Sequence, residues 1–357
     1  MRAARIRLGL TAVILMVAGF TLPSVGPAAA TFPGANGRIA FGDFNTGQIY
    51  AVNPDGTGFV QLTHVGDGEF AGTPRWSPDG KHIAFASNMS GPWRLWVMDA
   101  NGSSLSMLAI DKRGVNVFTP TYTPNGRRLL FSRCRHEGCA LFSVRTDGTN
   151  RQALTPFRLE VVDLHPSVSP NGRRIAFQRF GAKGIISQVY VMRADGSGAH
   201  ALTPPALEAS FPDWSPDGQD ITFTSNCCRL GQNIYVMNAN GTGIEPLTGE
   251  TFPNNGITSA YSPQGDQIVF ASDRRYDDFC CNDLFVMSST GAHETLIHTG
   301  STGVQDVAWG SAPLISASSG PASGLPSESP ARTRARRAAV CKELPVQMSG
   351  PRCGGFG

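Results

Sequence analysis

The 357-residue chain is 41% hydrophobic and 16% charged, with 41 Gly, 25 Pro and a formal net charge of +3. The positive charge sits at the ends: residues 1–30 carry three Arg and no acid, residues 311–357 carry +4, and the body between them is −4. A body of that sign excludes a nucleic-acid-binding surface, which needs a basic face.

Residues 1–30 read as a secretory signal peptide. Arg2, Arg5 and Arg7 precede the apolar run Leu8–Leu22, and Ala28-Ala29-Ala30 offers a small-residue cleavage site. The apolar run is too short for a span, which takes roughly 20 residues. The mature chain is therefore expected outside the cytoplasm, periplasmic or secreted, with no transmembrane span.

From residue 31 onward the chain is a repeat. The turn sequence recurs as WSPDG at Trp76–Gly80, YTPNG at Tyr122–Gly126, VSPNG at Val168–Gly172, WSPDG at Trp214–Gly218 and YSPQG at Tyr261–Gly265, with a truncated copy at Asn36-Gly37. The closing glycines are 43, 46, 46, 46 and 47 residues apart, a period that belongs to repeat architectures. Ser, Pro, Asp and Gly suit successive positions of a type I turn. After each turn comes an apolar run ending in Phe (Phe41, Phe85, Phe131, Phe177, Phe223, Phe270), then a second run such as LWVM from Leu95 or IYVM from Ile234. A second Gly turn follows, and a short segment ending in Leu-Thr closes several units, as at Leu154-Thr155 and Leu247-Thr248.

Runs of this length, rich in β-branched and aromatic residues and bounded by Gly and Pro, are strands. Each unit is thus a four-stranded antiparallel meander, strands a to d, and radial repetition of such sheets is a β-propeller. The first unit lacks a strand a, and Val304–Trp309 is a spare strand whose Val307-Ala308-Trp309 aligns with Pro74-Arg75-Trp76. The expected fold is all-β: a six-bladed β-propeller over residues 31–310, closed by Val304–Trp309 joining the first blade.

The pattern P-x-W-S-P-D-G-x-x-I-A-F, followed by I-Y-V-M-N-x-x-G-T-G-x-x-x-L-T, resembles the propeller repeat of the TolB family over residues 36–309. It is similar also to repeats in the propeller domains of some serine peptidases and pectin-degrading lyases. TolB carries an α/β domain ahead of its propeller, whereas strand b of the first blade begins here just after the signal peptide. The resemblance implies the fold, and not the partner contacts that depend on that domain.

Beyond Ser311 the chain is rich in Ser, Pro, Ala and Gly and is expected to be a disordered or linking tail, with a basic cluster at Arg332–Arg337. Eight Cys in an exported chain point to disulfides. Cys134 and Cys139 are close enough to bridge one hairpin. Cys227, Cys228, Cys280 and Cys281 lie at the same end of adjacent blades, with three connectivities open, and Cys341 and Cys353 offer a pair within the tail. Zinc binding is the competing reading, and the seven His lack ligand spacing for it.

The a–b and c–d turns share one end of the ring and are regular. The b–c and d–a connections at the other end are irregular, which is where binding residues are usually carried. At the channel mouth the positions flanking the recurrent Pro offer Thr73, Arg75, His165, Asp213 and Asp306 as a candidate ligand site. Arg75 and Asp213 are expected from opposite blades, as are His165 and Asp306. There is no GxSxG elbow, HExxH or P-loop. Asp273, Asp277, Asp278 and Asp283 share a loop without an EF-hand pattern, and Arg274 and Arg275 beside them favour local ion pairs. No catalytic residue, metal or cofactor is therefore assigned. The leading reading is a monomeric, non-catalytic propeller that binds a protein or cell-envelope component through its irregular end. The alternatives are a carbohydrate-active lyase or hydrolase at the channel mouth, and an envelope protein tethered by its basic tail.

Overall fold

A computed structural model describes residues 32–108, 115–181, 186–226, 231–249, 256–275, 281–297, 299–300 and 303–315. The leader, the basic cluster, Cys227, Cys228, Cys280, Cys341 and Cys353 lie outside the described residues.

The first unit holds β1 (Ile39–Asp43), β2 (Gln48–Val52) and β3 (Val60–Gln61), and the second β4 (Ala71–Trp76), β5 (His82–Ser87), β6 (Arg94–Asp99) and β7 (Ser106–Met107). The third holds β8 (Asn116–Tyr122), β9 (Arg128–Arg135), β10 (Gly138–Arg145) and β11 (Gln152–Ala153). β12 (Val161–Val168), β13 (Arg174–Phe180), β14 (Ser187–Arg193) and β15 (His200–Ala201) form the fourth. The fifth comprises β16 (Ala209–Trp214), β17 (Asp220–Ser225), β18 (Asn233–Asn238) and β19 (Glu245–Pro246). Last come β20 (Gly256–Tyr261), β21 (Gln267–Ser272), β22 (Asp283–Ser288) and β23 (Thr295–Ile297), then β24 (Val304–Trp309). The only helical element among the described residues is a 3-10 turn at Pro205–Leu207.

Within each unit the strands pair antiparallel in chain order. β24 pairs antiparallel with β1, Ile39 opposite Trp309, giving the sheet β24-β1-β2-β3. The leading strands lie side by side: β24 against β4 and β20, β4 against β8, β8 against β12, β12 against β16, and β16 against β20.

The recurrent Phe of each second strand is fully buried in all six units. It stacks on an aromatic of the third strand in most of them, as in Phe41–Tyr50 at 5.9 Å and Phe270–Phe285 at 5.5 Å between ring centres. Burying one such side chain contributes about 1.5–3 kcal/mol, and the repeat places one in every unit. Between units, the aromatic that ends five of the six leading strands inserts into the preceding sheet: Trp76 packs with Ala40 and Ile49, and Trp214 with Ala176 and Val189. A guanidinium of the preceding unit covers the ring in two places, Arg38 over Trp76 at 5.3 Å and Arg174 over Trp214 at 4.8 Å.

The fourth strand is only two or three residues long and stops before the Leu-Thr run. The threonine accounts for this. In four units its Oγ1 accepts the N–H that opens the third strand's apolar run, from Ile49, Leu141, Val189 and Ile234 to Thr63, Thr155, Thr203 and Thr248 at 2.8–3.0 Å. A side-chain oxygen thus replaces a ladder carbonyl, and the backbone is released into the next connection.

Units three and four depart from the pattern. β10 and β12 pair in parallel at Gly138–Val161 and Cys139–Val162, fusing the two units into one eight-stranded sheet. Gly138 permits this contact: its φ is +146°, and a Cβ there would stand 2.3 Å from the Val161 carbonyl oxygen. The expected bridge between Cys134 and Cys139 closes the β9–β10 hairpin beside that junction. Cys281 is buried.

Candidate functional site

Each leading strand carries a register shift at its middle, between Gly72 and Arg75 in β4 and at the equivalent points of β8, β12, β16, β20 and β24. The bulged residue has a left-handed backbone in five units: Thr73 (φ 52°), Thr119 (48°), His165 (50°), Phe211 (52°) and Asp306 (51°). For β-branched threonine, and for residues preceding Pro, that conformation is costly, about 1–3 kcal/mol each. A strained residue repeated at one register is a positioning device, because the bulge re-aims its side chain towards the line where the leading strands meet.

Three of the candidate residues, Arg75, His165 and Asp306, belong to one electrostatic group. Burial first, then the Arg75 charge, pushes the His165 imidazole down to about 3. Burial raises the Asp306 carboxyl above its ordinary range, while Arg75 and the Thr73 N–H hold it back. Both side chains are ringed by protein yet keep part of their surface accessible, as does Arg75. Arg75 Nη1 donates to the carbonyls of Pro74 at 2.9 Å and Val307 at 3.2 Å, tying β4 to β24. The His165 ring meets Phe211 edge-on at 4.3 Å, and its backbone N–H donates to Thr119 Oγ1 at 3.2 Å.

Asp213 is engaged differently. Its two carboxylate oxygens accept from Ser167 Oγ and from the Tyr261 N–H, each at 3.2 Å, so it links three successive units. Thr73 Oγ1 and Thr258 Oγ1 at the same register, and Ser259 Oγ one residue further on, are buried without a hydrogen-bond partner among the described residues. The centre therefore offers one guanidinium, one raised carboxyl, one neutral imidazole and spare hydroxyls. Aligning the repeats identifies the charged members. The left-handed backbone escapes that alignment, since T-P and H-P dipeptides read as ordinary extended strand.

The two ends of the body differ as their residues require. In the a–b turns the Ser or Thr hydroxyl donates to a following Asp or Asn, as Ser77 to Asp79 at 2.6 Å, and then accepts a backbone N–H, from His82 at 2.9 Å. The c–d turns repeat a second closed motif, as Thr57 donates to Asp55 at 2.6 Å and Thr149 to Asp147 at 2.6 Å. At the opposite end, Arg133 and Arg135 stack on Phe157 at 5.5 and 4.6 Å, and Leu159 beside them is 74% exposed. Arg179 grips Asp163 with two bonds, at 2.6 and 2.8 Å. The repeat pattern places this loop at the irregular end but gives no sign of its aromatic–guanidinium stack, because Phe157 lies more than twenty residues after Arg133. Of the ion pairs expected in the acidic loop, Arg275–Asp283 is present at 3.1 Å, whereas Arg274 pairs outside the loop with Glu294, and Asp277 and Asp278 lie outside the described residues. Among the described residues no group of three His, Cys, Asp or Glu is arranged to hold a metal ion, and no helix is long and apolar enough to cross a membrane.

Four-stranded sheets whose leading strands meet at a common centre define the β-propeller class. Residues 146–297 match the family model of the TolB beta propeller domain. The chain is similar to TolB from Acinetobacter baumannii, with 18% identity and a TM-score of 0.63 over 76% of this chain and 66% of that one. It is similar also to a putative TolB from Agrobacterium tumefaciens, with 21% identity and a TM-score of 0.55 over 74% of this chain and 88% of that one. An uncharacterized protein of Agrobacterium fabrum strain C58 is 33% identical over 97 residues, 26% of this chain. The chain spans 30% of the length of that curated relative. The protein has a TolB-like β-propeller fold, and the identities to the solved structures carry the fold alone.

Proposed function

We propose that the protein is an exported, non-catalytic propeller of six blades, closed by β24, that binds a protein of the cell envelope through its irregular end. Residues 1–30 would direct export, 31–310 would form the propeller and 311–357 a basic tail. The pairing of β24 with β1 and the cyclic order of the leading strands support the closed ring.

The observation that carries the binding reading is the contrast between the ends. At the a–b and c–d turns the polar side chains satisfy one another, which leaves little for a partner. At the irregular end an exposed Leu159 stands beside Phe157, whose face is covered by Arg133 and Arg135. An exposed apolar residue beside a half-buried aromatic and its Arg is the composition of a protein-binding patch. His165 argues against acid–base catalysis at the centre, since an imidazole held near 3 is a weak base at neutral pH.

The test is crosslinking capture from the native envelope with the mature chain, run beside a polysaccharide binding screen. A protein partner should be retained, and Leu159→Asp should lose it while Asn171→Ala at the turn end should not. Retention of a polysaccharide alone would overturn the reading. If Arg75→Ala and His165→Ala leave the captured partner unchanged, the central polar group has no part in binding it.

A further inference from the structure

At five of the six junctions between units, the leading strand ends in a ring that the preceding sheet receives: Trp76, Tyr122, Trp214, Tyr261 and Trp309. At the junction of units three and four that position is Val168. The residue facing it has changed as well, Leu130 standing where the other units have Ala40, Ala84, Ala176, Thr222 and Val269. Leu130 and Val168 are both buried and close the floor of the junction. Outside that floor a cavity of about 480 Å³ remains, lined by Thr123, Arg128, Gln152, Ile175 and the two floor residues. A volume of this size is within the range of small-molecule sites, about 300–1,000 Å³.

The cation of the junction is still in place. Arg128 occupies the position of Arg38 and Arg174, whose guanidinium groups lie over Trp76 and Trp214. With no ring to cover, Arg128 donates through Nη2 to Ser143 Oγ at 2.9 Å, the Asn150 carbonyl at 2.8 Å and Gln152 Oε1 at 3.3 Å. Those bonds hold the guanidinium plane at the groove, and they leave Nε and Nη1 without a protein acceptor among the described residues. All three acceptors are neutral, and no ion pair engages the guanidinium among the described residues. Asp195 on the rim accepts from the Ser197 N–H of its own turn at 2.9 Å.

We propose that the groove between units three and four is a binding site for a flat aromatic ring carrying an anionic group, seated where the other junctions hold a Trp or Tyr of the chain itself. The ring stacks beneath Arg128 against Leu154 and Ala153, above the buried floor of Leu130 and Val168, and its anion takes the free donors of the guanidinium. Stacking on an aromatic face and pairing with a carboxylate are both within the reach of one Arg. The site is at the turn end of the propeller and does not depend on partner binding at the irregular end.

The test is titration of the full mature chain with indole-3-acetate and with indole, followed by calorimetry and ligand-observed NMR. Indole-3-acetate should bind, indole should bind about tenfold more weakly, the worth of one charge-assisted contact, and Arg128→Gln should remove the difference. Leu130→Ala with Val168→Trp recreates the Ala–Trp pair of the first junction and should abolish binding of both rings. Ala153→Trp, on the exposed wall of the groove, should do the same without touching the floor, which guards against a folding defect in the double variant. Equal binding of the two rings, absence of binding at millimolar concentration, or binding that survives Ala153→Trp would each overturn the proposal.

Discussion

His165 couples the strained centre of the propeller to pH. Its folded value is about 3 against an ordinary 6.5, so between those values the unfolded chain holds a proton that the folded chain does not. The stability it contributes is complete above pH 6.5 and is lost as pH falls towards 3. Asp306, raised by burial, acts with the opposite sign: its contribution is complete below its ordinary 3.8 and is lost as pH rises through its folded value. Thermal melts between pH 4 and 7 should show His165→Asn flattening the acid-side fall in Tm and Asp306→Asn steepening it; an unchanged slope in His165→Asn contradicts this assignment. Trp214 tests packing at the same scale. It is fully buried beneath Arg174, so Trp214→Ala should cost about 3–5 kcal/mol in urea unfolding, and Arg174→Ala about 1 kcal/mol. The charged groups at the centre are legible because repeats align them. Their strain is not, because a backbone angle at Thr73 or His165 leaves no mark on residue identity.

At the scale of the element, β24 and the β9–β10 hairpin make separate demands. Removing Val304 onward takes away the strand that covers β1, exposing the ladder groups of Ile39–Asp43 and the face of a buried sheet. Such an edge pairs with other chains. The truncated protein should lose its cooperative melt and aggregate, as read by circular dichroism and light scattering, and a soluble monomer with an unchanged Tm would contradict the role of β24. The Cys134–Cys139 bridge closes a short loop, so replacing both Cys by Ser should lower stability by about 2 kcal/mol in urea unfolding. The close spacing of these two Cys is enough by itself to reveal their hairpin. The parallel ladder from β10 to β12 is invisible in sequence, since it depends on Gly138 reaching a carbonyl at Val161 across an intervening strand and turn. The units themselves are readable for a simple reason: each repeats one turn, one Phe and one Gly at a constant spacing, and local turn chemistry decides where its strands begin.

In the whole molecule the repeats build one monotonous end and one irregular end, and the second is the proposed site of protein recognition. Regularity is itself a structural property here, because every turn that repeats the SPDG chemistry pairs its Ser or Thr hydroxyl internally. The junction of units three and four departs from the others at both ends, with a parallel ladder on the irregular side and a groove on the turn side. Site-specific photo-crosslinking in the native envelope compares the two ends most directly, with the crosslinker at His136 or Leu159 on one side and at Asn171 or Asp217 on the other. Protein crosslinks are expected from His136 and Leu159 and none from Asn171 or Asp217; crosslinks confined to Asn171 and Asp217 would contradict recognition through the irregular end.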